Sequence, residues 1–254
     1  MMILLPPSET KRDGGAPGPA DVSSWAFPGL AAPRGQVREA LMALAGDPAQ
    51  TRRVLKLSEK QLAGAVRDNA GLADGPVMPA IDRYTGVLFD ALDTASLDGY
   101  ARRWLGAHVR IHSAPFGPVG ALDPIPSYRL GAAASVPGLP ALRRHWAESV
   151  TAELRAHAPD FVLDLRSEAY VDLGPVPDEV SSAYVRVVTE QGKALNHFNK
   201  HAKGALVRRL ATERPRIGSE RTLLGWAARS GVVMRRTEES GVLELVTDQP
   251  TARK

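Results

Sequence analysis

Residues 160–170, D-F-V-L-D-L-R-S-E-A-Y, constrain the fold of this chain more than any other stretch. Phe161-Val162-Leu163 is a short apolar run with no turn residue in it, the mark of a strand buried on both faces. It stops on a dense polar cluster of Asp164, Arg166, Ser167, Glu168 and Tyr170. In open sheets of α/β type, ligand sites gather at the carboxyl ends of strands. An acid, a base, a hydroxyl and a phenol at such an end therefore point to a site. A structural Asp–Arg ion pair followed by a serine helix cap is the alternative.

The first residues repeat the theme. Met1 to Leu5 read as a strand that ends at Pro6-Pro7, since proline cannot donate to a ladder. Ser8, Glu9, Thr10 and Lys11 follow at its carboxyl end. This start is too short and too little charged for a signal peptide, and no run of about 18 apolar residues offers a membrane span. A cytoplasmic protein is expected. At 254 residues and 44% hydrophobic, the chain can bury a core of one large domain or two small ones. It has no cysteine, which excludes disulfides, thiolate metal sites and thiol redox chemistry.

Residues 12–35 are rich in Gly, Pro, Ala and Ser without periodicity and read as a mobile surface loop. Helices are expected over 36–44, from Asp47-Pro48 as N-cap and N1, and from Ser58 with Gln61 as a capping box. A long helix is expected over 87–105 and further helices over 142–156, 204–210 and 223–228. Strands are read at 109–112, 161–165 and 182–188, with a terminal hairpin of 232–236 and 242–246. Residues 117–140, full of Gly and Pro, read as a long ordered loop or a run of short turns, and 247–254 as a frayed tail. The order is not a clean βαβ alternation, so an α+β fold, a single-domain mixed sheet with surrounding helices, is expected over 1–246 instead of a Rossmann sheet.

Charge is segregated. Residues 193–221 hold eight Lys and Arg against two Glu, an excess above the whole chain's net +4. Such a field attracts phosphates, though a solvated helix face has the same pattern. His197 and His201 lie four apart, with no third ligand nearby; His108 and His112 do so on a predicted strand, and no metal is expected. Neither G-x-x-x-x-G-K-[ST], G-x-G-x-x-G nor G-x-S-x-G occurs. Tyr128-Arg129 could grip a carboxylate or phosphate, or pack in the core with Arg129 paired to Asp164 or Glu168.

Taken jointly, M-I-L-L-P-P-S-E-T-K, Tyr84-Thr85-Gly86, Phe116-Gly117, Leu122-Asp123-Pro124-Ile125, Pro126-Ser127-Tyr128-Arg129-Leu130, Trp146, D-L-R-S-E-A-Y and H-F-N-K-H-A-K-G resemble the YaaA peroxide-stress protein family (UPF0246 type) in matching order. Asp164-Leu165-Arg166 departs from the Asn-Leu-Ala of other members. The resemblance implies the fold called cantaloupe in that family and a cytosolic role limiting free iron and oxidative damage. It also implies non-specific binding of duplex or bubble DNA through a positively charged cleft and a helix-hairpin-helix element, here placed at 58–69 around Gly64. Lys60, Arg67, Lys200, Lys203, Arg208 and Arg209 are the nucleic-acid candidates.

The alternative is an enzyme acting on a phosphate-bearing or nucleotide-like small molecule. Ser8, Tyr84, Tyr128, Arg129, Arg166, Ser167, Lys200 and Lys203 would bind this small anionic ligand. Glu168, as general base, Lys11 and Tyr170 are the catalytic candidates. No cofactor is called for.

Overall fold

The apolar run Met2–Leu5 is buried at every position, and it forms the strand β1 in the middle of the sheet. The remaining strands are β2 (Val77–Pro79), β3 (Val109–Ser113), β4 (Gly117–Gly120), β5 (Pro124–Pro126), β6 (Val162–Asp164), β7 (Ser182–Val188), β8 (Met234–Arg236) and β9 (Val242–Val246). Seven of them form one sheet in the order β4-β3-β1-β6-β7-β9-β8; β2 and β5 pair separately. Pairing is parallel from β3 through β1, β6 and β7 to β9, and antiparallel at both edges. The computed structural model describes residues 1–192 and 196–247, with side chains of the second segment from 199 on. The expectations for Lys193, for the His197 side chain and for the tail from 248 lie outside the described residues.

The helices are α1 (Ala31–Ala45), α2 (Pro48–Leu55), α3 (Glu59–Ala70), α4 (Ala80–Arg83), α5 (Val87–Leu92), α6 (Gly99–His108), α7 (Leu142–His157), α8 (Glu168–Val171), α9 (Asn196–Glu213) and α10 (Glu220–Arg229). Helices and a mixed sheet in one domain make this an α+β fold, as expected. Among the described residues no helix is long and apolar enough to cross a membrane. Asp47 caps α2 by accepting from the Gln50 amide, with Pro48 at N1, and Ser58 and Gln61 form the capping box of α3.

Four expectations are corrected. The 12–35 segment is not an unpacked loop: Trp25, Phe27 and Leu30 are buried, two short 3-10 turns cross it, and α1 has begun by Ala31. Buried Arg34 ties it down by donating to the carbonyls of Ala26, Phe27, Phe116 and Pro118. The single helix expected over 87–105 is two, because the chain turns into the left-handed region at Asp93 (φ 46°) and restarts at the Asp98 cap. Residues 117–140 contain β4 and β5, whose Gly-Pro-rich sequences hide them. Finally, 58–69 falls in the cap and body of α3, with Gly64 inside it, so no hairpin turn occurs there.

Helix α9 packs against α5, α6 and β7. At its contact with α5 the two backbones nearly touch. A Cβ on Gly204 would lie 2.1 Å from the Leu88 carbonyl oxygen and 3.0 Å from the Ala91 side chain, so only glycine permits this approach.

Candidate functional site

Because β1 and β6 run parallel, their carboxyl ends open on the same side, and the chain leaving each is polar. A cavity of about 780 Å³ lies there. Ser8 follows β1 and Ser167 follows β6; Lys200 and Lys203, one turn apart on α9, together with Tyr170, Glu9, Thr10, Thr85 and Asn199, are the rest of its polar lining. Ser167 is the N-cap of α8 yet makes no side-chain cap bond. The Ser8 and Thr10 hydroxyls lie 3.2 Å apart, and the Thr10 hydroxyl donates to the Thr85 carbonyl. That joins the first strand's exit to the Tyr84-Thr85-Gly86 turn. At Gly86 (φ 95°) a side chain would press on both hydroxyls at 3.3 Å.

Lys203 is almost wholly buried. Its Nζ donates to the Arg166 carbonyl at 3.4 Å and lies 5.5 Å from the Tyr184 ring centre. Burial pushes its amine down to about 8, against the pull of Asp164. Also lining the cavity, the Oδ1 of Asn199 is buried and has no hydrogen-bond partner among the described residues. A concave space with convergent lysines, hydroxyls and an unused acceptor has the make-up of a small-molecule site.

A second hollow of about 190 Å³ adjoins this one; Glu9 borders both. Lys11, Lys60, Tyr128 and Arg129 line it. The Arg129 guanidinium pairs with Glu9 at 3.1 Å, neither with Asp164 nor with Glu168. Its backbone is clamped by buried Asn69, which accepts from the Arg129 amide at 2.8 Å and donates to its carbonyl at 3.0 Å. Tyr84 and Tyr128 are buried with their hydroxyls 2.7 Å apart, and burial raises both phenols far enough to keep them protonated. Tyr170, raised by burial, is protonated too.

Three proposed site residues fall elsewhere, Tyr84 among them: it is buried and lines neither hollow. Arg166 has no exposed surface, so it is not a ligand contact. Its donors go to both Asp164 oxygens, to His112 Nδ1 and to the Tyr170 and Gly174 carbonyls. Of the alternative raised for this cluster, the structural ion pair is found, but the serine cap is not, because Ser167 makes no side-chain cap bond. A guanidinium only donates, so Nδ1 of His112 accepts; burial and then Arg166 hold that imidazole neutral. Glu168 is exposed and lines a third hollow with Asp164, Tyr184 and Arg186, apart from both lysine-bearing spaces.

The nucleic-acid candidates are spread out. Lys60 and Lys200 are exposed. Arg67 pairs with Asp68, and Arg209 with Glu213. Arg208 donates to the carbonyls of Leu92 and Asp93 at the end of α5. Sequence reasoning missed Asn69, Asn199, Arg34 and Arg83. Buried Arg83 donates to the carbonyls of Arg12, Gly14, Pro76 and Ile125, which no local pattern announces.

Comparison with known proteins places this chain in a family. The family model described as peroxide stress protein YaaA matches residues 1–225. The chain belongs to the YaaA peroxide-stress family. A UPF0246 protein of Corynebacterium glutamicum is 40% identical over 92% of this chain and 94% of its own length. One from Streptomyces coelicolor is 43% identical over 83% of this chain and 82% of its own. An uncharacterized protein of Campylobacter jejuni is 27% identical over 82% and 83%. Both strand-end hollows of this YaaA-family member are built from residues inside the matched span.

Proposed function

We propose that this YaaA-family protein acts in peroxide stress by binding, and chemically altering, a small phosphate-bearing molecule of nucleotide type at the carboxyl ends of β1 and β6. The observation that carries the reading is Lys203. An ammonium group taken out of water needs an opposite charge, yet among the described residues Lys203 forms no ion pair; it has a long bond to a carbonyl, the Tyr184 ring at 5.5 Å and only the more distant pull of Asp164. It borders a cavity large enough for a nucleotide, with Lys200 beside it. A phosphate there would supply the missing anion, and the Ser8 and Ser167 hydroxyls could donate to its oxygens.

The expected result is measurable by calorimetry with a nucleoside monophosphate. Lys203→Gln should weaken binding roughly 10- to 100-fold, since a hydrogen bond to a charged group is worth about 1.5–3 kcal/mol. Binding to the native chain should also fall as pH rises through about 8, where the Lys203 amine loses its charge. Equal affinity in the variant, or no pH dependence, would count against the reading.

Non-specific DNA binding, with limitation of free iron as its protective outcome, is the second reading. It is favoured by exposed Lys60 and Lys200 at the rims of two adjoining hollows, where a backbone could span them. It predicts retardation of duplex or bubble DNA that weakens steeply with salt. Unchanged retardation after Lys200, Lys203, Arg208 and Arg209 are all made Ala would remove it.

A further inference from the structure

Lys11 lines the smaller hollow and is half-buried. Its Nζ donates to the Ser8 carbonyl at 3.1 Å and the Glu9 carbonyl at 3.3 Å. Two acceptors match the two N–H bonds of a neutral amine and leave the nitrogen lone pair unused. Among the described residues no carboxylate lies within ion-pair distance of it.

The groups facing this amine pull both ways. The Tyr128 ring, 3.9 Å from Nζ to its centre, and the more distant Tyr84 ring favour the ammonium form, as do Asp68 and Glu9. Burial, Arg129 and Arg83 oppose them and prevail, pushing the amine down to about 7. Lys60 adds a further positive charge on the same hollow, and Asp13 a further negative one. Arg129 supplies permanent charge at this place. A lysine is the residue whose charge can be switched off there.

We propose that Lys11 is a nucleophile whose amine condenses with the carbonyl group of an anionic substrate held by Arg129 and Lys60. This extends the reading above to the adjoining hollow, which shares Glu9 with the larger cavity, and rests on it, because the substrate must first bind as an anion. The Nζ lone pair attacks the carbonyl carbon, and the C=O π pair moves onto oxygen. The two amine protons pass to that oxygen, which leaves as water, and a C=N bond remains. No oxidant or further reactant is needed. The Glu9 carboxylate, largely exposed in its pair with Arg129, is readily displaced by the incoming anion.

Pyridoxal 5′-phosphate is the probe, trapped on the full chain with borohydride and mapped by peptide mass spectrometry. At pH 7, Lys11 should be trapped at least about tenfold faster than exposed Lys56, which lines neither hollow, because an amine titrating near 7 is half neutral where an ordinary lysine is almost all charged. Its rate should level off above neutrality. Lys11→Arg makes the charge at this place permanent. It should still bind pyridoxine 5′-phosphate, which has an alcohol in place of the aldehyde. Trapping of Lys11 no faster than of Lys56, with pyridoxine 5′-phosphate still bound, overturns the nucleophile and spares the anion site. Absence of pyridoxine 5′-phosphate binding overturns the anion site beside Arg129 as well, while nucleoside monophosphate binding at Lys203 tests the larger cavity separately.

Discussion

Arg166→Met is expected to destabilise the fold by roughly 3–5 kcal/mol, the usual penalty for breaking a buried ion pair from one side. The side chain has no exposed surface, and Asp164 opposite it is nearly as enclosed. Removing the guanidinium strands a carboxylate in the interior. It also leaves His112 Nδ1 and the Gly174 carbonyl without the donors they have at 2.9 Å and 2.8 Å. At about 2–4 °C per kcal/mol for a chain of this size, the melting temperature should drop by roughly 6–20 °C. The double variant Asp164→Leu with Arg166→Met should recover part of this, since the charge is then gone from both sides. A single variant that melts within a degree or two of the native protein would show that this pair is not what holds β6 to its neighbours.

Arg34→Met should have an effect of similar size by a different route. Arg34 donates to four backbone carbonyls and, among the described residues, to no carboxylate. Each buried acceptor left without a donor is worth about 1–3 kcal/mol, so a total loss of about 3 kcal/mol or more is expected even if part of the segment relaxes towards water. The loss should be local first. Two of the carbonyls belong to Ala26 and Phe27, so limited proteolysis should cut the variant within 12–35 under conditions that leave the native chain whole. Arg34→Lys should not rescue it, because one ammonium cannot reach acceptors spread across a planar fork. A variant as resistant as the native chain would mean that Trp25, Phe27 and Leu30 anchor the segment without the arginine.

Arg34 also shows where reading residues in order runs out. It sits in a tract whose composition says loop, and its partners at Phe116 and Pro118 are more than 80 positions away. Arginine is rarely buried, so nothing local marks it as interior. Arg83 is the same case. Strands made of branched and apolar residues were legible: 182–188 was read with the bounds observed for β7, and β1, β3, β6 and the terminal hairpin were found within a few positions. Strand β4, G-P-V-G, was not, because its pairing with β3 is imposed by tertiary context against local propensity.

The site divides in the same way. Ser8, Ser167, Tyr170, Lys200 and Lys203 were legible because polar residues following buried strands, and a basic helix, are local signals; the structure gathers them around one cavity. Lys11, Tyr128 and Arg129 gather around its neighbour. Arg166 and Glu168 carry the same local signal but turn elsewhere, one inward to Asp164 and one to another hollow. Side-chain direction after a strand end depends on the next two or three backbone dihedrals, which no motif reports.

With Gly204 seated on the Leu88 carbonyl, the helix that carries Lys200 and Lys203 is bolted to the segment that supplies Gly86, Leu88 and Phe89 to the lining of the same cavity. The two sides cannot slide past one another without forcing a backbone contact apart. For a ligand of the proposed kind, girth would therefore count before charge: a molecule that overfilled the space would have to force these two elements apart.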